Sequence, residues 1–176
     1  MNRTLCLDVS AVTDLAGINL LPELQKLGYK LKTTSLAWER AGLATSGNPL
    51  TPNGYPVIEP ITDEMWEELL NMKSAYKGMT LADLSILLYA YDNLTPLISP
   101  DAAIRMQASK MEIAVVGYES LLDELVEAGI LQQMKARQYH LQLIENNPFY
   151  EPENGGQTMA ADVLMAYKKS KSKILP

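Results

Sequence analysis

Four acidic residues lie far apart in the chain, yet at positions where folding could bring carboxylates to one rim: Asp8, Glu39, Asp83 and Asp101. Asp8 closes the apolar run Thr4–Leu7, and Asp101 follows the short run Pro96–Ile98. Each run reads as a buried strand, and in an open parallel sheet both carboxyl ends open onto the same crevice. Glu39, in LAWER, falls in the helix after the second strand, whose start faces that rim. Asp83, in MTLADLS, falls in the first turn of an apolar helix, an expensive place for an unpartnered charge. Carboxylates about 4 Å apart repel by roughly 4 kcal/mol per pair at an effective dielectric near 20. Four on one rim therefore predict a cation among them. Oxygen-only ligation suits Mg²⁺ or Mn²⁺, and a single histidine with a single cysteine offers no cluster for zinc. Such an ion acidifies bound water and stabilises the charge gathering on a phosphate under in-line attack.

Each acid also has a purely structural explanation. Asp8 can start a turn, and Glu39 can be a solvated helix acid. Asp83 completes Thr80-x-x-Asp, a capping-box pattern, while Asp101 complements a helix dipole. The chemistry therefore rests on the conjunction. Arg105, four residues after Asp101, and Arg40 are candidate phosphate contacts, with an ion pair as the alternative role. Ser10 can cap the helix after Asp8. His140 reads as a packing or surface residue of a late helix, Cys6 as inert core, and Tyr89 and Tyr91 as core or dimer residues.

These positions imply a set of elements to hold them. Helices are expected over Ser10–Ala16, Ile18–Leu27, Leu36–Ala41, Thr62–Ala75 (capped by Thr62), Thr80–Tyr91, Ser99–Ser109 (Ser99 as cap, Pro100 first), Tyr118–Ala128 and Leu131–Glu145. Strands are expected at Thr4–Leu7, Tyr29–Thr33, Val57–Glu59, Pro96–Ile98 and Glu112–Val116. Tyr29–Thr33 alternates Tyr, Lys, Leu, Lys, Thr and reads as an edge strand. Ala44–Pro56, dense in Gly, Asn, Pro and Thr, reads as a loop. Strands alternating with helices predict an α/β sandwich around a mainly parallel sheet. Residues 1–145 form the expected domain. Residues 146–176 read as a linker, NNPFYEPENGGQ, and an appended amphipathic helix, Thr158–Lys173, ending in lysines that touch RNA or an acidic partner, or simply end a solvated helix.

The chain has 176 residues, 47% of them apolar and 20% charged, which suits one globular domain. No stretch approaches about 18 uninterrupted apolar residues, which argues against a membrane span. MNRTLCLDVS lacks the pattern of a signal peptide, and one cysteine forms no intrachain disulfide. A cytoplasmic location is expected. The net charge of −6 and pI near 4.8 predict modest affinity for RNA, because such binding draws on neutralising phosphates with Lys and Arg.

Leu5-Cys6-Leu7-Asp8-Val9-Ser10, Leu36-Ala37-Trp38-Glu39, Leu81-Ala82-Asp83-Leu84-Ser85 and Leu97-Ile98-Ser99-Pro100-Asp101 resemble, in order, the four acidic motifs of the PIN-domain family. The match runs from about residue 4 to 128 and looks closest to VapC-like ribonuclease toxins and their stand-alone relatives. The resemblance implies a three-layer α/β/α fold and a Mg²⁺- or Mn²⁺-dependent endoribonuclease. Asp8, Glu39, Asp83 and Asp101 would be its metal acids, and Ser10 the hydroxyl beside them. It also implies homodimers and, for the toxin branch, a neutralising antitoxin. Two features depart from the pattern: Ser99 stands where relatives often have Thr, and residues 146–176 lie outside the usual domain. The alternative is a catalytically weak module of the same fold that binds nucleic acid or protein. An aspartyl phosphatase fits less well, since the position two residues beyond Asp8 is Ser10. A phosphorylated receiver lacks its adjacent acids at Val9 and its lysine near Val116-Gly117.

Overall fold

A computed structural model describes residues 3–42, 56–148 and 150. Among them four parallel strands form one sheet in the order β3-β2-β1-β4: β1 (Arg3–Leu7), β2 (Tyr29–Thr34), β3 (Val57–Glu59) and β4 (Leu97–Ile98). The helices are α1 (Val9–Gly17), α2 (Leu21–Lys26), α3 (Ser35–Arg40), α4 (Asp63–Ala75), α5 (Leu81–Asp92), α6 (Ala102–Lys110), α7 (Tyr118–Glu127) and α8 (Gln133–Asn146).

The unbroken apolar run of β1 is explained by the two faces it must cover. Leu5 and Leu7 point into a core with Leu15 of α1, Leu24 of α2, Leu125 of α7 and Leu143 of α8. Cys6 points the other way, with Leu69 of α4, Leu87 of α5 and Ile104 of α6. The result is a three-layer α/β/α sandwich. Threonines start three of the helices: Thr34, Thr62 and Thr80 each accept from the backbone N–H three residues on. Gly28, at φ +85°, provides the left-handed turn from α2 into β2.

Several elements differ from expectation. β2 is internal, because β3 pairs with its outer side through Lys32↔Val57 and Thr34↔Glu59. Its alternating lysines report a polar face, where Lys32 bonds Glu59 at 2.6 Å and the Tyr89 hydroxyl at 3.1 Å. The helix expected over Ile18–Leu27 begins only at Leu21, after Asn19 turns the backbone to φ 55°. Glu112–Val116 supplies a single parallel bridge, Leu97↔Val115, rather than a strand. Asn146 ends α8, and Asn147 and Tyr150, within the expected linker, bond back to buried groups. The loop expected over Ala44–Pro56, Pro56 apart, and the helix expected over Thr158–Lys173 lie outside the described residues. No helix among the described residues is long and apolar enough to cross a membrane.

Candidate active site

Strand order changes direction between β1 and β4, and this switch is where an open parallel sheet leaves a crevice at its carboxyl ends. The two ends are tied by Cys6 N–H to Pro96 O at 2.9 Å and Asp8 N–H to Ile98 O at 3.2 Å. Asp8 then turns the chain from β1 into α1. Its backbone is extended, and its Oδ1 accepts from Ala11 N–H at 2.6 Å, which makes it the helix cap. The expectation that Ser10 caps this helix is corrected: the Asp8 carboxylate already satisfies the first-turn amide, and Ser10 is a half-buried residue inside that turn. The other oxygen of Asp8 accepts from the Ser99 hydroxyl at 2.5 Å.

Asp8 is 1% exposed, and both of these side-chain partners are neutral. Burial pushes its carboxyl up to about 7. The bonds from Ser99 and Ala11 pull it down, while the charges of Asp101 and Asp83 push it further up. The sheet and α5 thus bring the charges of Asp101 and Asp83 to bear on Asp8.

Asp101 is the cap of α6, accepting at Oδ1 from Ala103 N–H at 2.7 Å and Ile104 N–H at 3.1 Å. The expectation of Ser99 as cap and Pro100 as first helical residue is corrected, because the Ser99 hydroxyl is occupied by Asp8. Ser99 Oγ also accepts the Asp101 N–H at 3.1 Å, so one buried hydroxyl joins the two acids. The motifs do not announce this bridging role, and only the spacing Ser99-x-Asp101 hints at it.

Asp83 completes the capping box. Its Oδ2 accepts from Thr80 N–H at 2.8 Å and the Thr80 hydroxyl at 2.6 Å, and Arg40 stands 3.8 Å away. Asp83 is therefore both a cap and one of the charges felt by Asp8. Thr80→Ala is expected to cost about 1 kcal/mol, measured as a lower urea midpoint at unchanged slope.

Glu39 is exposed on α3. Arg40, also exposed, is the ion-pair partner of Asp83. Arg105, half-buried one turn beyond Asp101, lies over the Tyr150 ring at 5.1 Å. Cys6 is fully buried, and its thiol is pushed up by that burial, as inert core requires. His140 is a buried packing residue bonded to Glu119 at 3.1 Å.

Among the described residues no three His, Cys, Asp or Glu side chains are grouped closely enough to hold a metal ion between them. The donor chemistry nonetheless fits a hard divalent ion. Mg²⁺ takes one or two carboxylates and completes its shell with water and substrate phosphate. The charge of such an ion would offset the burial and the acidic neighbours that raise the Asp8 carboxyl. Compared with protein-family models and with curated proteins, the chain matches none.

Proposed function

We propose that this chain is a PIN-like, Mg²⁺- or Mn²⁺-dependent endoribonuclease, with Asp8 as its central carboxylate. The observation that carries the reading is Asp8 itself: buried at the joined ends of β1 and β4, without a cationic hydrogen-bond partner, and perturbed by Asp83 and Asp101. Burying a carboxylate in this way is unfavourable for the fold alone, which favours a functional reason for it. The order of the four acidic motifs supports RNA as substrate. When bound, the metal would supply charge stabilisation at a phosphoryl oxygen and an acidified water.

The chain's own residues would act around that ion. Asp8 and Asp101 would hold it, with Asp83 adding negative potential. Ser99 orients Asp8 through its hydroxyl and Asp101 through the backbone N–H. Arg105 of α6 and Arg40 of α3 would meet substrate phosphates. On this reading the partners are RNA, a second copy of the chain and, as in the toxin branch, an antitoxin.

A second reading, a binding module with little catalysis, is favoured by two observations. Asp83 is already paired with Thr80 and Arg40, and no three acids are grouped among the described residues. Incubating the purified chain with end-labelled single-stranded RNA and Mn²⁺ separates the two. Cleavage that stops on chelation is expected. RNA retained intact at every metal concentration would favour the binding module.

A further inference from the structure

Behind the acidic rim, α1 takes part in a second buried polar network that the proposed chemistry does not use. Asp14 of α1 accepts the Tyr118 hydroxyl at 2.9 Å and the Asn147 amide at 2.6 Å on Oδ2, and the Asn146 amide at 3.4 Å on Oδ1. Tyr118 opens α7 behind Gly117, which has no side chain to cap it, and the Tyr118 N–H donates instead to the Tyr150 hydroxyl at 3.2 Å. That hydroxyl donates in turn to Glu119 Oε2 at 2.6 Å, and Glu119 Oε1 meets His140 Nε2 at 3.1 Å. The rings of Tyr118 and Tyr150 lie 5.4 Å apart. Asp14, Tyr118, Glu119, His140 and Tyr150 are all buried, so water does not replace a bond that is lost.

This arrangement is more than an ordinary helix end. The chain leaves α8 at Asn147, yet Asn147 and Tyr150 reach back to α1 and α7 through three side-chain bonds. Asp14 stands on the same short helix that Asp8 caps, about 9 Å along its axis at 1.5 Å per residue. A displacement at Asp14 therefore bears on the first turn, where Asp8 holds the Ala11 amide.

We propose that Asn147 and Tyr150 form a latch that holds α1, and with it Asp8, in place, so that release of these two residues from α1 and α7 loosens the candidate site. The latch is local: a few side chains after the end of a helix, released at far smaller cost than global unfolding. The functional consequence rests on Asp8 being the central carboxylate. The mechanical coupling does not.

Amide hydrogen exchange on the full chain tests it without metal or RNA. Tyr150→Phe removes only the hydroxyl that serves Tyr118 and Glu119, and Tyr118→Phe only the one that serves Asp14. Each is expected to speed exchange about tenfold or more in the first turn of α1, equivalent to roughly 1.4 kcal/mol of lost protection, while α5 on the opposite face keeps its rates. Unchanged rates in α1, or rates in α1 that rise only in step with those of α5, would overturn the latch. Either result is separate from RNA cleavage, so failure of the nuclease reading leaves it standing, and the reverse.

Discussion

Asp8→Asn is expected to reduce Mn²⁺-dependent RNA cleavage by about 10²–10³-fold or more, the scale of losing one preorganised electrostatic group, and to leave the fold more stable above neutral pH. Both effects have one cause. The Asp8 carboxyl is held near 7 in the fold against an ordinary value of 3.8. Because the folded value is raised, the contribution of Asp8 to stability is fully present below about pH 4. It is lost as pH rises through about 7. At full ionisation the loss is on the order of 4 kcal/mol. Asparagine keeps the structural role: it caps helices as well as aspartate, its oxygen can take the Ala11 N–H, and its amide can donate to Ser99 Oγ. Urea denaturation from pH 4 to 8 should show wild-type stability falling across that range and the variant nearly flat. Parallel curves would mean that Asp8 is not buried as a costly charge.

Ser99→Ala should produce the second-largest change. Ser99 is 3% exposed, and its hydroxyl both donates to Asp8 and accepts from Asp101 N–H. Its removal leaves a buried oxygen and an amide each short of a partner, a loss of about 1–3 kcal/mol. The Ser99 bond is also one of the two that pull the Asp8 carboxyl down. Without it Asp8 holds its proton to higher pH, and the pH at which metal binds, or cleavage reaches half its plateau, should move upward. Ser99→Thr keeps the hydroxyl and is expected to restore both stability and pH profile. A variant that loses stability while the pH midpoint stays in place would make Ser99 a packing residue only.

Much of the scaffold was legible from local patterns. β1 is an unbroken apolar run, Thr62 and Thr80 announce their helices, and Gly28 marks a stop; each is decided within a few residues of chain. Competition for the same hydroxyl or amide was not legible. Ser10 and Ser99 are good caps by type, but Asp8 and Asp101 take the amides at both helix starts, and the hydroxyl of Ser99 is committed to Asp8 across 91 residues. The sequence of β2 reads as an edge, yet alternation of lysines shows only that one face is polar, not that a flank is unpaired. The segment NNPFY has the composition of a linker, and only the positions of Asp14, Tyr118 and Glu119 turn Asn147 and Tyr150 into anchored residues.

For the candidate site, the sequence marks the acids at the strand ends. The charges of Asp83 and Asp101 reach Asp8, because strand ends and the start of α5 converge by topology. Glu39 is exposed on the six-residue helix α3, a short element on which position along the chain says little about direction.

The most direct measurement is calorimetric titration of Mn²⁺ into the full chain near pH 7, in two buffers of different ionisation enthalpy. A carboxyl that titrates near 7 is about half protonated there, so an ion drawing on Asp8 should bind in the millimolar range or tighter and release about half a proton per metal. The release should vanish in Asp8→Asn. Binding with no proton release and no sensitivity to that substitution, or no binding in the millimolar range, would contradict the assignment of Asp8 as the carboxylate that holds a divalent ion.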